Sequence, residues 1–234
     1  MAIDPIIDEL VKKTYEELAQ VSKPKERSRM SQTANGYVHL IAWSNASLLR
    51  ILIKKFTSKL PSIERRLKMQ LDDAARSVIA NIEEGYRRPT TIEYLTFLGY
   101  SQASLVEVKG DIQRCRQDNI LKNIPNSNLL AIGIYLNHWH EALKKSIISD
   151  TKGIYRNLRG ATTNPPLNSF KFLYNPVDNL KVQSLTYEIF IELVNKTDWN
   201  LRKLVSSLEE KLNREQKFYQ VEKARIRGNI NWRK

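Results

Sequence analysis

Apolar residues recur along most of this chain in steps of three and four, the pattern of helices that each bury one stripe. The first segment opens on Asp4-Pro5, an acceptor side chain at the N-cap position followed by a proline where a helix tolerates it. Ile7, Val11, Tyr15 and Leu18 follow at four-four-three spacing and predict an amphipathic helix to about Val21. Residues 22–36 are polar and basic, end in Asn35-Gly36, and read as a flexible connector.

Four helical patterns come next. Residues 38–58 are apolar over a wide arc that includes Trp43, Leu48, Leu52, Ile53 and Phe56, which predicts burial on more than one side. Leu67, Leu71, Ala74, Val78 and Ile82 then run to Gly85, behind Ser62 and Glu64. A third helix starts near Thr90 or Thr91, after Pro89. Its seam of Tyr94, Leu98, Ser101, Leu105, Val108, Ile112 and Cys115 alternates steps of four and three, with a small residue at Ser101 for close approach. The fourth pattern covers Asn126 to Ile148 through Leu129, Ile132, Leu136, Trp139 and Leu143. Short loops predict antiparallel neighbours. The expected fold is all-α: an up-down antiparallel four-helix bundle over residues 37–149, with an N-terminal helix and a helical C-terminal extension.

Residues 150–180 carry Gly153, Gly160, Pro165-Pro166 and Pro176 without a sustained period and read as an irregular linker. Helix returns from Val182. Leu185, Ile189, Phe190 and Leu193 form one stripe, and Thr197 or Asp198 is placed to cap a second helix bearing Leu201, Leu204, Leu208 and Leu212. The domain reading is therefore 1–36, 37–149 and 150–234, with the middle segment expected to fold without the tail.

Charge sharpens this picture. Of the chain's 234 residues, 38 are Lys or Arg and 25 are Asp or Glu, a net charge of +13. Residues 151–234 hold 16 basic and 8 acidic residues, a net +8 in about a third of the length. At this charge, salt-sensitive attraction to phosphate is expected. A single cysteine excludes an intrachain disulfide. No apolar run reaches the roughly 20 residues of a membrane span, and the acidic start MAIDPIIDEL lacks the basic region of a secretion signal. The expectation is a soluble cytoplasmic protein.

Candidate chemistry is sparse. His138 and His140 lie two apart on a helix, about 200° from each other, so they cannot share an ion. Cys115 falls on the apolar seam and reads as packing. Glu83 and Glu84 read as a solvated face or as partners of Arg76, Arg87 or Arg88, while Asn81 beside the stripe reads as a register-fixing polar group. No phosphate-binding glycine loop, Ser-His-Asp set or dinucleotide fingerprint occurs, so neither catalysis nor a cofactor is expected. The basic residues carry more. Arg65, Arg66 and Lys68 cluster at a helix start, where the dipole disfavours cations, whereas Arg87 and Arg88 stand at the favoured end of the same helix. In the tail Lys211, Arg214, Lys217, Lys223, Arg225, Arg227, Arg233 and Lys234 are interleaved with Phe218, Tyr219 and Trp232. Aromatics among cations suit single-stranded nucleic acid. They also suit a helix docking on an acidic protein, or a solvated basic helix.

The run Gln70 to Tyr86, QLDDAARSVIANIEEGY, contains Ala74-Ala75-Arg76-Ser77 and then Asn-Ile-x-Glu-Gly at Asn81 to Gly85. With Trp43 and Ala46 before it, and Glu93 to Leu98 and Glu107 after it, the segment resembles the S23-type four-helix-bundle family. That family comprises proteins encoded in intervening sequences of large-subunit ribosomal RNA genes, and accessory variability determinants of diversity-generating retroelements. The resemblance covers about residues 40–122; Asp72-Asp73 stand where the family carries an arginine pair. It implies a non-enzymatic accessory protein, a nucleic-acid partner (RNA or DNA), a reverse-transcriptase partner and a homo-oligomer, a pentamer as in the characterised retroelement members. The second apolar face of the 38–58 helix agrees with assembly, although the N-terminal helix or the tail would cover that face equally well.

Overall fold

Tertiary contacts, more than helix propensity, decide which helices make the core. The computed structural model describes residues 35–157 and 174–231. A short 3₁₀ turn at Gly36–His39 leads into α1 (Ile41–Thr57). A second turn at Ser62–Glu64 leads into α2 (Arg65–Arg87), followed by α3 (Thr91–Gln117), α4 (Leu136–Asn157), the single turn α5 (Asn175–Asp178) and α6 (Tyr187–Asn231). The fold is all-α, with no strand among the described residues. The N-terminal segment expected to be helical at 4–21, and the linker region 158–173, lie outside the described residues.

The start of α3 is set chemically. Thr90 Oγ1 accepts the Glu93 N–H at 3.2 Å and donates to Glu93 Oε2 at 2.8 Å, so one side chain satisfies an end-of-helix donor and orients a first-turn carboxylate. Contacts fix the directions. Trp43 Nε1 donates to Glu83 Oε1 and Thr57 Oγ1 to Asp72 Oδ1, so α2 runs back along α1. Ser101 Oγ donates to the Val78 carbonyl at 2.8 Å, and α3 runs back along α2 with the close approach expected of a small residue at that seam. Lys109 Nζ reaches Asn195 Oδ1, and the Arg116 guanidinium lies 4.7 Å from the Tyr187 ring centre, so α6 runs back along α3. Phe56 against Phe190, 5.8 Å between ring centres, joins α6 to α1 and closes the set.

Two sequence readings are corrected here. The fourth helix does not start at Asn126 but at Leu136. The stretch before it forms only local turns, including a 3₁₀ turn at Leu130–Ile132, and gives other backbone groups to the start of α6: Tyr187 N–H donates to the Lys122 carbonyl, Ile124 N–H to Glu188, and Leu129 N–H to Glu192 Oε2 at 2.8 Å. Left-handed Asn126 and Gly133 (φ 67° and 77°) then bar a continuous helix. The tail is also one helix from Tyr187 and not two. Thr197 caps nothing; it is buried and donates to the Leu193 carbonyl at 2.7 Å, which satisfies its hydroxyl in mid-helix.

The hydrophobic core consequently crosses the boundary expected at 149/150. Leu185, Ile189, Phe190, Leu193, Val194 and Leu201 are buried in one cluster with the apolar faces of α1, α2 and α3. α6 takes the place that the sequence reading assigned to 126–148, and α4 lies across α1, where Trp139 Nε1 donates to the Ser44 carbonyl at 2.8 Å. The wide apolar arc of α1 is thus covered within the chain, by α2, α6 and α4.

The clamp of α6 on the 122–129 loop is expected to depend on pH. Burial alone would raise the Glu188 carboxyl, but hydrogen bonds from Ile124 N–H, the Glu188 N–H and the Thr186 and Ser127 hydroxyls outweigh it and hold the group below its ordinary value. A lowered folded value means that the unfolded chain takes up the proton first as pH falls. The contribution is therefore present above the unfolded glutamate value of about 4.3 and is lost as pH drops through the lower folded value. Urea midpoints between neutral pH and acid should fall more steeply for the wild-type chain than for Glu188→Gln.

Candidate nucleic-acid interface

The Asn81–Gly85 run proves to be a packing device. Ile82 is fully buried, Glu83 accepts the buried Trp43 indole at 2.8 Å, and Gly85 is buried against α3. A Cβ at Gly85 would lie 2.7 Å from Phe97 Cβ and 2.8 Å from Tyr94 Cδ2. Phe97 Cβ is fixed to the backbone, so the helices themselves would have to separate. Gly85→Ala should therefore lose about 1–2 kcal/mol net, the overpacking cost exceeding the gain of about 1 kcal/mol in helix propensity. A thermal midpoint lower by several degrees checks this. Asn81 stands half-buried beside the stripe. Above this joint Tyr37, Trp43, Tyr86 and Tyr94 form a chain of ring contacts, with Arg87 5.4 Å over Tyr37.

The predicted basic residues fall at two ends of the molecule. Arg65, Arg66 and Lys68 are exposed at the start of α2. Arg65 and Arg66 line a groove of about 840 Å³ between α2 and α3, whose other charged walls are Arg114, Asp73, Glu107 and Asp111. Arg114 pairs with the buried Asp111 at 2.6 Å, so carboxylates offset much of the cationic charge in the groove. Arg87 and Arg88 end the same helix, about 33 Å away. Arg88 is committed to Glu84 and to the Phe97 ring, 4.5 Å from its centre.

The tail residues gather at the second end. α6 has 45 residues, about 66 Å of helix, against 27 residues and about 40 Å for α3. With Tyr187 beside Arg116, α6 reaches the first turn of α3 near Leu212 and projects beyond it. Every side chain described from Asn213 to Val221 is exposed. Arg214 and Lys217 stand on this projection and Lys211 at its base, on the side of the fold that holds Arg87 and Arg88. Lys211 has only a loose exposed pair with Glu215 at 3.8 Å, and Arg214 Nε donates to the Glu210 carbonyl. Phe218 and Val221 are 63% and 67% exposed among these cations. Lys223, Arg225 and Arg227 continue along the α6 backbone, while Arg233 and Lys234 lie outside the described residues.

Other sequence candidates resolve plainly. Cys115 is fully buried, and burial, with Asp111, Asp118 and Glu64 adding to it, pushes its thiol up to about 12. His138 packs on Tyr135, burial lowers His140, and Trp139 between them is core. No group of three or more His, Cys, Asp or Glu side chains among the described residues could hold a metal ion. No described helix is long and apolar enough to cross a membrane. Sequence reasoning missed the role of Glu83 as the acceptor of a buried indole. A buried tryptophan N–H usually finds such a partner, and that was the available signal.

Fold and surface together define an all-helical basic protein whose longest helix projects past the core, with Lys211, Arg214 and Lys217 exposed among Glu209, Glu210 and Glu215. Residues 38–132 match the model of the 23S rRNA-intervening sequence protein family, the S23-type family that the Asn81–Gly85 run resembles. The match takes in α1, α2 and α3 and stops before α4 and α6. Neither a curated protein nor a solved structure matches the chain.

Proposed function

We propose that this is a non-enzymatic, nucleic-acid-binding accessory protein of the cytoplasm, with RNA as its first ligand. The observation that carries the reading is the outer end of α6, where Lys211, Arg214 and Lys217 stand exposed and Phe218 follows them, exposed as well. Exposed cations neutralise phosphates and an exposed ring stacks on an unpaired base, a combination that is tolerant of sequence. The match of residues 38–132 to proteins named for 23S rRNA intervening sequences supports RNA over DNA. Arg65, Arg66 and Lys68 form a weaker second contact, because acids share their groove. On this reading the chain serves a nucleic-acid-handling enzyme such as a reverse transcriptase, and a homo-oligomer, a pentamer on the family resemblance, multiplies the cationic ends without new contacts. Because α1 is covered within the chain, its wide apolar arc supplies no reason for assembly.

Fluorescence anisotropy with RNA and DNA oligonucleotides across a salt series tests the proposal. The expected result is low-salt binding that weakens steeply and log-linearly with salt. Absence of binding at low salt, or binding without a salt slope, overturns it. The exposed Phe218 and Val221 favour one other reading, a protein-interaction module, and a partner retained from the native host after nuclease digestion would support that instead.

A further inference from the structure

Helix α3 is apolar on two opposite faces. The inner one, Tyr94 to Cys115, is spent in the core. On the outer one Ile92, Thr96, Gly99, Ala103, Val106 and Gly110 recur in alternating steps of four and three, and all but the half-buried Gly110 are exposed. Ile92 and Val106 are 53% and 67% exposed, and a Cβ added at Gly99 would meet nothing within 4 Å. Beside this face α2 presents Met69, 54% exposed, along the groove it shares with α3. Such a repeat over about 27 Å of helix is the pattern by which one helix receives another along its length. Nothing in the described residues covers it.

The place where the described chain begins points to one occupant. Gly36 lies against the Tyr86 side chain, and Tyr86 packs edge-on to Tyr94 in the first turn of α3. The chain therefore enters the fold at the end where the open face starts. Preceding it, residues 4–21 carry Ile7, Val11, Tyr15 and Leu18 at helical spacing, about 27 Å of helix, the length of the open face. Residues 22–34 span up to about 40 Å when extended, so either direction along α3 is within reach. Charge agrees in part, since Asp73 and Glu107 share the groove of Arg65 and Arg66. The segment holds Asp4, Asp8, Glu9, Glu16 and Glu17 against Lys12 and Lys13. On α2, Arg65, Arg66 and Arg76 are exposed and take no part in the ion pairs of the described residues.

We propose that residues 4–21 form an amphipathic helix that docks on the outer face of α3, apolar stripe against Ile92 to Gly110 and carboxylates toward the arginines of α2. The proposal does not rest on nucleic-acid binding, although the docked carboxylates would compete with phosphate for Arg65 and Arg66. Hydrogen exchange read by mass spectrometry on the full chain, at low and at high micromolar concentration, tests it. Amides of residues 5–21 should exchange at least about tenfold more slowly than in the isolated peptide, equally at both concentrations. Ala103→Arg, at an exposed position, should return them to fast exchange while α1 and α2 keep their protection. Ile7→Asp with Val11→Asp, outside the core, should do the same from the other side of the contact. Fast exchange of 5–21 in the wild-type chain overturns the proposal, as does protection indifferent to both variants. Protection that disappears on dilution also overturns it, because a second copy would then occupy the face.

Discussion

A chain ending at Asp150 is expected not to fold cooperatively. The cut removes α6, and with it Leu185, Ile189, Phe190, Leu193, Val194 and Leu201 from the common core. Fully burying one such side chain contributes about 1.5–3 kcal/mol, so the six together contribute on the order of 10 kcal/mol. Net stabilities of whole domains are about 5–15 kcal/mol. The loss also exposes the faces of α1 and α3 that these residues cover, including Phe56, and removes Glu188 and Glu192, which hold the 122–129 loop. Aggregation, strong binding of a hydrophobic dye and no sharp thermal transition are the expected findings, read by circular dichroism and dye fluorescence. A truncated chain that melts cooperatively with retained helix would show that α1 to α4 suffice. The sequence pattern alone points to that opposite outcome, since residues 37–149 hold four helical patterns of their own.

The second large effect concerns Lys211→Ala, Arg214→Ala and Lys217→Ala combined. Each contact with a single-stranded phosphate contributes about 0.7 to the log-log salt slope, so three lost contacts should lower the slope by about 2 and the affinity near 0.1 M salt by about a hundredfold. All three side chains are exposed beyond the core, so the thermal midpoint should not move. Arg65→Ala, Arg66→Ala and Lys68→Ala should cost less, because Asp73, Glu107 and Asp111 already weaken that end for phosphate. Arg88→Ala should cost least in affinity, since its guanidinium is committed to Glu84 and Phe97. Anisotropy titrations on one RNA oligonucleotide rank the three. Equal losses at all sites would mean that affinity follows net charge and not a place on the fold.

Local chemistry made much of this molecule legible. The seam of α3 was readable because a step of four then three keeps residues on one side of a helix whatever lies opposite. The Thr90 start was readable because its cap bonds run only three residues along the chain. Arg65, Arg66, Lys68, Lys211, Arg214 and Lys217 were readable as exposed cations because desolvating an unpaired charge is too costly to leave them inside. By contrast, the cationic charge at Arg65 and Arg66 looked unopposed until folding brought Glu107 and Asp111 of α3 beside it.

What the sequence by itself determined is therefore the all-α class, the stripes of α1, α2 and α3, the resemblance carried by Asn81 to Gly85, and the basic character of the tail. Tertiary structure alone decided which helix completes the core. Leu129 and Ile132 fit a helical period as well as Ile189 and Leu193 do. The Lys122 carbonyl and the Ile124 and Leu129 N–H groups, however, bond to Tyr187, Glu188 and Glu192, sixty or so residues away. Periodicity reports which side of a segment is apolar and is silent on which other segment will bury it. That choice rests on packing and hydrogen bonds between residues far apart in the chain, and here it made α6 both the last wall of the core and the arm that carries the cations outward.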